Sequence, residues 1–117
     1  MTEIKVIIAD DDRDAVTTLS NLLEDKGITV LGKAYDGEEA FALFTTFNPD
    51  VVIMDLNMPN YDGHYAIEKI KEKDPNAKII VVSAYLDKLF QSNQVSAVFS
   101  KPYNVDELVA KLKELTK

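Results

Sequence analysis

Val51-Val52-Ile53-Met54-Asp55 sets four apolar residues in a row against an abrupt carboxylate. A strand with one wet face alternates apolar and polar residues, whereas a strand covered on both faces reads as an unbroken apolar run. The run is too short for a buried helix. It therefore predicts a central strand of a parallel sheet, with Asp55 at its carboxyl end. Working outward, Ile4 to Ala9 runs into Asp10-Asp11, Lys78 to Val82 into Ser83, and Ala97 to Ser100 into Lys101. Ile28 to Ala34 is a further strand, followed by a turn at Asp36-Gly37. The carboxyl ends of parallel strands share one edge, so residues scattered over ninety positions are expected to meet in one pocket there.

The segments between the strands have helical spacing. Ala15, Val16, Leu19, Leu22 and Leu23 predict a helix from about Asp14 to Lys26, stopped by Gly27. Glu38 to Phe47 carries Ala40, Phe41, Phe44 and Phe47 on one stripe, read as core packing, and ends before Asn48-Pro49 because the residue before proline resists helical angles. A helix with Tyr65, Ile67 and Ile70 ends at Asp74-Pro75. A short one spans Tyr85 to Gln91, and a terminal one carries Val105, Leu108, Val109, Leu112 and Leu115. The expected fold is α/β: a doubly wound, five-stranded parallel sheet of the flavodoxin-like type, strand order 2-1-3-4-5, with five helices. For that order the crevice lies between the first and third strands, so Asp10, Asp11 and Asp55 should line it.

With 117 residues, 46% of them hydrophobic, the chain has the usual size of one compact domain spanning 1–117. A net charge of −7 repels nucleic acid phosphates, so no direct nucleic acid contact is expected. There is no cysteine, which excludes disulfides and thiolate metal sites. No apolar run approaches the ~20 residues of a membrane span, and the amino terminus lacks the apolar core of a signal peptide, so a cytoplasmic protein is the default. Three carboxylates in one small space would repel one another unless a cation sits among them, and a hard divalent ion such as Mg²⁺ suits an all-oxygen site. Asp12 and Asp14 fit the positive end of the first helix instead. His64 is read as a helix-start residue without a catalytic role, and Gly37 and Gly63 as turn and helix-entry residues.

At this point the chain closely resembles the receiver domain of two-component response regulators, from Lys5 to about Leu115. The resemblance rests on Asp10-Asp11, Asp55 within Met-Asp-Leu-Asn-Met-Pro, Asp62-Gly63, Ser83-Ala84 and Lys101-Pro102, in that order. It implies a phosphoacceptor signalling domain in which a histidine kinase or histidine phosphotransfer protein delivers a phosphoryl group to Asp55, switching the binding of a downstream effector. Asp11, Asp55 and the backbone carbonyl of Asn57 would ligand Mg²⁺, with Asp10 holding a metal-bound water. Lys101 and Ser83 would contact phosphoryl oxygens. Such a domain is not a conventional enzyme, having only its own phosphorylation and slow dephosphorylation. Asn57 and Tyr85, each two positions past Asp55 or Ser83, sit where side chains would gate a hydrolytic water.

Two departures from the family pattern stand out. From Ser83 to Lys101 is 18 positions, short by roughly one helical turn, which predicts a shortened fourth helix. The aromatic residue expected three positions before the lysine is replaced by Val98, with Phe99 next to it. Unless the fifth strand shifts or bulges, the usual aromatic switch is missing. The alternative is therefore a degenerate receiver acting as a phosphorylation-independent interaction module. A flavin carrier would need a Ser/Thr/Gly phosphate loop where this chain has three aspartates, and an aspartyl-phosphate phosphatase would need a second Asp where this chain has Asn57. Because the chain begins with methionine and stops one helix after the fifth strand, the expectation is either a stand-alone regulator or one missing its output domain.

Overall fold

The structure is a computed structural model that describes residues 3–59, 61–84 and 94–117. Its centre is β3 (Val51–Met54), whose four side chains are wholly buried. Around it lie β1 (Lys5–Ala9), β2 (Thr29–Ala34), β4 (Ile79–Ser83) and β5 (Ala97–Ser100), all parallel, in the order β2-β1-β3-β4-β5. This is the flavodoxin-like order expected from the sequence. Among the described residues the helices are α1 (Arg13–Asp25), α2 (Gly37–Phe47), α3 (Gly63–Lys73) and α4 (Val105–Leu115). The expected short helix over Tyr85 to Gln91 lies outside the described residues, as does its shortening.

Two separate core clusters show how the sheet is covered. Alternate residues of each strand point to opposite faces. Val52, Met54, Ile79 and Val81 join Ala40 and Phe44 of α2 and Ala66, Ile67 and Ile70 of α3 in one cluster. Val51, Ile53, Ile80 and Val82 join Val16, Leu19 and Leu23 of α1 and Leu108, Val109 and Leu112 of α4 in the other. Each fully buried Val, Ile or Leu contributes about 1.5–3 kcal/mol, so these clusters set the strand register firmly.

The helix ends follow from local chemistry. Asp12, Asp36, Asp62 and Asn104 each cap a helix by accepting the backbone N–H three residues on. Gly27 ends the α1 turn at φ +85, and Asn48 ends α2 at φ 48, the left-handed region that Gly and Asn tolerate best. Phe47 departs from the expected core stripe, at 45% exposure. It is the last residue of α2, just before the Asn48 cap turns the chain, so no following turn covers its ring.

Register then places the polar strand ends side by side. Ala9 pairs with Met54, and the ladder continues one step further, with the Asp55 N–H donating to the Ala9 carbonyl at 2.9 Å. Ser83 pairs with Ser100, and the Lys101 N–H donates to the Ser83 carbonyl at 2.9 Å. Asp10, Asp55, Ser83 and Lys101 therefore occupy one edge of the sheet.

Candidate functional site

At that edge the Lys101 ammonium bridges two carboxylates, 2.8 Å from Asp10 Oδ2 and 2.9 Å from Asp55 Oδ2. Both aspartates are buried, and each uses its second oxygen locally. Asp10 Oδ1 accepts the Asp12 N–H and Asp55 Oδ1 accepts the Asn57 N–H, both at 3.0 Å. Asp11 is exposed, yet it offers a carboxylate oxygen to the same point: ligand atoms of Asp10, Asp11 and Asp55 lie within 4.8 Å of one another. Ser83 is 1% exposed, and its Oγ accepts a hydrogen bond from Asn57 Nδ2 at 2.8 Å. Asp10, Asp11, Asp55, Asn57, Ser83 and Lys101 are thus brought together, while Tyr85 lies outside the described residues.

Electrostatics here is set by burial against pairing. Burial pushes the Asp55 carboxyl above its ordinary range, and the Asp10 charge adds to this, while the Asn57 N–H and the Lys101 ammonium pull it down without cancelling the effect. Burial disfavours the charged form of Lys101, but its hydrogen bonds to Asp10 and Asp55 outweigh that and hold it above the usual lysine value. When all three aspartates are ionised, one ammonium serves three carboxylates. The two uncompensated negative charges, with oxygen donors only, match a hard divalent cation that keeps part of its water shell.

Sequence reasoning missed the packing that holds this edge in place. Gly63, read only as a helix-entry residue, presses on the backbone just past the end of β3. A Cβ built there would stand 2.5 Å from the Asp55 carbonyl oxygen and 2.7 Å from Leu56 Cα. The Gly63 N–H also donates to the Leu56 carbonyl at 3.1 Å. The Asp-Gly pair was a visible signal, but a turn glycine and a close-approach glycine look alike in sequence. At the rim, the Arg13 guanidinium sits 3.8 Å from the centre of the Tyr35 ring, a contact between the start of α1 and the β2–α2 connection that no local pattern announces. Tyr103, two residues past Lys101, is half-buried, and burial raises its hydroxyl pKa. It borders a cleft of about 480 Å³ that runs from Asp10 and Lys101 over Val16 and Leu19 of α1.

The fifth strand settles the question of the aromatic. β5 neither shifts nor bulges against β4: Val81 pairs with Val98 and Val82 with Phe99. Val98 packs with the cluster under α2 and α3, and Phe99 with the opposite one, its ring 6.4 Å from that of Tyr103. Phe99 therefore lies on the other face of the sheet from the position that carries the aromatic in the family pattern.

No described helix is long and apolar enough to cross a membrane. The comparisons with known proteins agree with this architecture. The family model described as response regulator receiver domain matches residues 6–113. The chemotaxis protein CheY of Thermotoga maritima is 33% identical over 97% of this chain and 98% of its own length. Sporulation initiation phosphotransferase F of Bacillus subtilis is 30% identical over 92% and 90% of the two chains. Among solved structures, the response regulator TrrA of Thermotoga maritima, in complex with Mg²⁺ and BeF, superposes with a TM-score of 0.86 at 32% identity, covering 96% of this chain and 98% of its own. Strand order, the carboxylate cluster at the sheet edge and these matches converge: the chain belongs to the response regulator receiver domain family.

Proposed function

We propose that residues 1–117 act as a single receiver domain in which Asp55 accepts a phosphoryl group from the phosphohistidine of a sensor kinase or histidine phosphotransfer protein. The observation that carries this reading is the Lys101 ammonium lying between Asp10 and Asp55, with Asp11 alongside. In the transfer, the P–N bond of the donor histidine breaks as an Asp55 carboxylate oxygen bonds to phosphorus. Charge spreads over three equatorial phosphoryl oxygens, so alignment and nearby positive charge do most of the work. Lys101 supplies an ammonium within reach of one such oxygen, and the Ser83 hydroxyl donates to another. The Asn57 N–H fixes the second oxygen of Asp55 and so orients the carboxylate. Asp11, Asp55 and the Asn57 carbonyl would hold Mg²⁺, with Asp10 holding one of its waters; a bound Mg²⁺ supplies further positive charge and a template for the incoming phosphoryl group.

Hydrolysis reverses the state: water attacks phosphorus, the Asp55 carboxylate is restored and inorganic phosphate leaves. Asn57 and Tyr85 would set the access of that water. The phosphorylated form would then bind a downstream effector protein. The convergence of acceptor, lysine and hydroxyl does not favour the reading of a degenerate interaction module. Incubation with acetyl phosphate and Mg²⁺, followed by intact-mass measurement, should add one phosphoryl group that Asp55→Ala abolishes. An adduct that survives this substitution, or none in the unaltered chain, rejects the proposal.

A further inference from the structure

Two of the contacts that Asn57 makes, taken together, join segments that no single local motif connects. Its backbone N–H donates to Asp55 Oδ1 at 3.0 Å, and its side-chain Nδ2 donates to Ser83 Oγ at 2.8 Å, across 26 positions of sequence. The residue itself is exposed, whereas Asp55 and Ser83 are buried. A serine hydroxyl has one proton and two lone pairs. An amide donor that engages one of those lone pairs fixes where the oxygen sits. The Ser83 main chain is pinned too, because its carbonyl accepts the Lys101 N–H at 2.9 Å.

Resting on the phosphoacceptor reading, we infer that Asn57 is a positioning residue that acts through Ser83: its carboxamide holds Oγ so that the hydroxyl proton serves a phosphoryl oxygen on Asp55. One residue thereby sets both groups that flank the incoming phosphorus, the carboxylate through its N–H and the hydroxyl through its side chain. This role differs from gating of water. A gate acts on solvent and is indifferent to Ser83, whereas a brace has no effect once the hydroxyl is gone.

A double-mutant cycle separates the two. The full chain and its Asn57→Ala, Ser83→Ala and doubly substituted forms are titrated with beryllofluoride in the presence of Mg²⁺, and affinity is read by fluorine NMR. Losing one neutral hydrogen bond corresponds to about a 3- to 10-fold change, so Asn57→Ala should weaken binding by that factor when Ser83 is present. On top of Ser83→Ala it should change binding by less than about twofold. Asn57→Leu, which fills the space but cannot donate, should behave like Asn57→Ala in both backgrounds, which guards against an effect of altered packing or solvent entry. Equal factors in both backgrounds, or no loss with Ser83 present, overturn the inference. If binding is lost in Asp55→Ala yet untouched in Asn57→Ala, the acceptor assignment stands and only the brace falls. If the unaltered chain binds no beryllofluoride, both fall together.

Discussion

The middle of the sheet edge and its β5 flank obey the same register but reach different ends. In the middle, one step past the paired Ala9 and Met54, two carboxylates meet a lysine that itself follows the paired Ser83 and Ser100. At the flank, the same unbroken pairing puts Val98 and Phe99 on opposite faces, in different core clusters. A displacement of one residue is harmless for a group beyond the end of a strand, where backbone turns aim the side chain. Within a strand it moves the side chain through the sheet. The carboxylate–lysine cluster and the Phe99 flank are therefore structurally separate in this chain, so each is open to disturbance without the other.

The strongest way to break the middle is Lys101→Met. Methionine keeps most of the side chain's length but leaves Asp10 and Asp55 facing each other without a cation. Phosphorylation by acetyl phosphate should slow by about 10²- to 10³-fold, the scale of losing one charge-stabilising donor in a transfer site. The Lys101 side chain is 28% exposed, so the stability loss should be discounted from that of a fully buried pair to about 1–2 kcal/mol, readable by urea denaturation. A rate within tenfold of the unaltered chain would mean that the lysine is an ordinary ion-pair partner.

Gly63→Ala attacks the same region from behind. The new methyl would overlap the Asp55 carbonyl oxygen and Leu56 Cα, both backbone atoms, so the acceptor strand must move. An overpacked contact of this kind costs about 1–3 kcal/mol, and a displacement near 1 Å at a reacting group costs about 10²-fold in rate. Acetyl phosphate kinetics together with the melting temperature would read both effects. Unimpaired phosphorylation would show that the edge is less rigid than its backbone hydrogen bonds suggest.

How much of this was legible in advance follows from the kind of pattern involved. The strands and the site were readable because apolar runs end abruptly in Asp55, Ser83 and Lys101, and parallel strands put such ends on one edge. The cap at Asp12 was readable because it precedes a helical stripe, whereas Asp36, read as a turn residue, also caps α2. The Asn57–Ser83 hydrogen bond, the Gly63 contact and the Arg13–Tyr35 stack were not, since each joins segments whose distance is set only by tertiary packing. Phe47 misled for a related reason: helical spacing assigns a face but not how far along a helix the cover extends.

A subtler probe of the middle is its charge balance. The Asp55 carboxyl lies above its ordinary range, so the folded chain holds that proton more tightly than the unfolded one does. Ionising Asp55 thus weakens the fold. The penalty is absent below the ordinary carboxylate pKa of about 4 and fully developed once pH exceeds the raised folded value. Asp55→Asn removes it, so without divalent ions the variant should melt at a higher temperature than the unaltered chain at pH 7, and the gap should close as pH falls toward 4. Saturating Mg²⁺ should narrow or reverse the gap by stabilising the unaltered chain. A lower melting temperature for Asp55→Asn at pH 7 without metal would mean that Lys101 more than repays the burial of this carboxylate.

The smallest effect is expected at the flank, and it is the most direct measure of separability. Phe99 is partly buried against the α1 and α4 cluster and beside Tyr103, so Phe99→Leu should cost about 1–2 kcal/mol of stability, less than for a wholly buried ring. Beryllofluoride affinity should stay within about twofold, because the Phe99 ring packs on the face of the sheet opposite to Val81 and Val98, the face that Ser83 shares. The aromatic proton shifts of Phe99 should likewise barely change on adding beryllofluoride and Mg²⁺. To reach the side of the sheet that Ser83 shares with Val81 and Val98, the ring would have to pass through the β4–β5 ladder, which rotation about its own side-chain bonds cannot achieve. A large shift of the Phe99 ring, coupled to a loss of beryllofluoride affinity in Phe99→Leu, would require β5 itself to change register and would rejoin the two regions that the resting structure keeps apart.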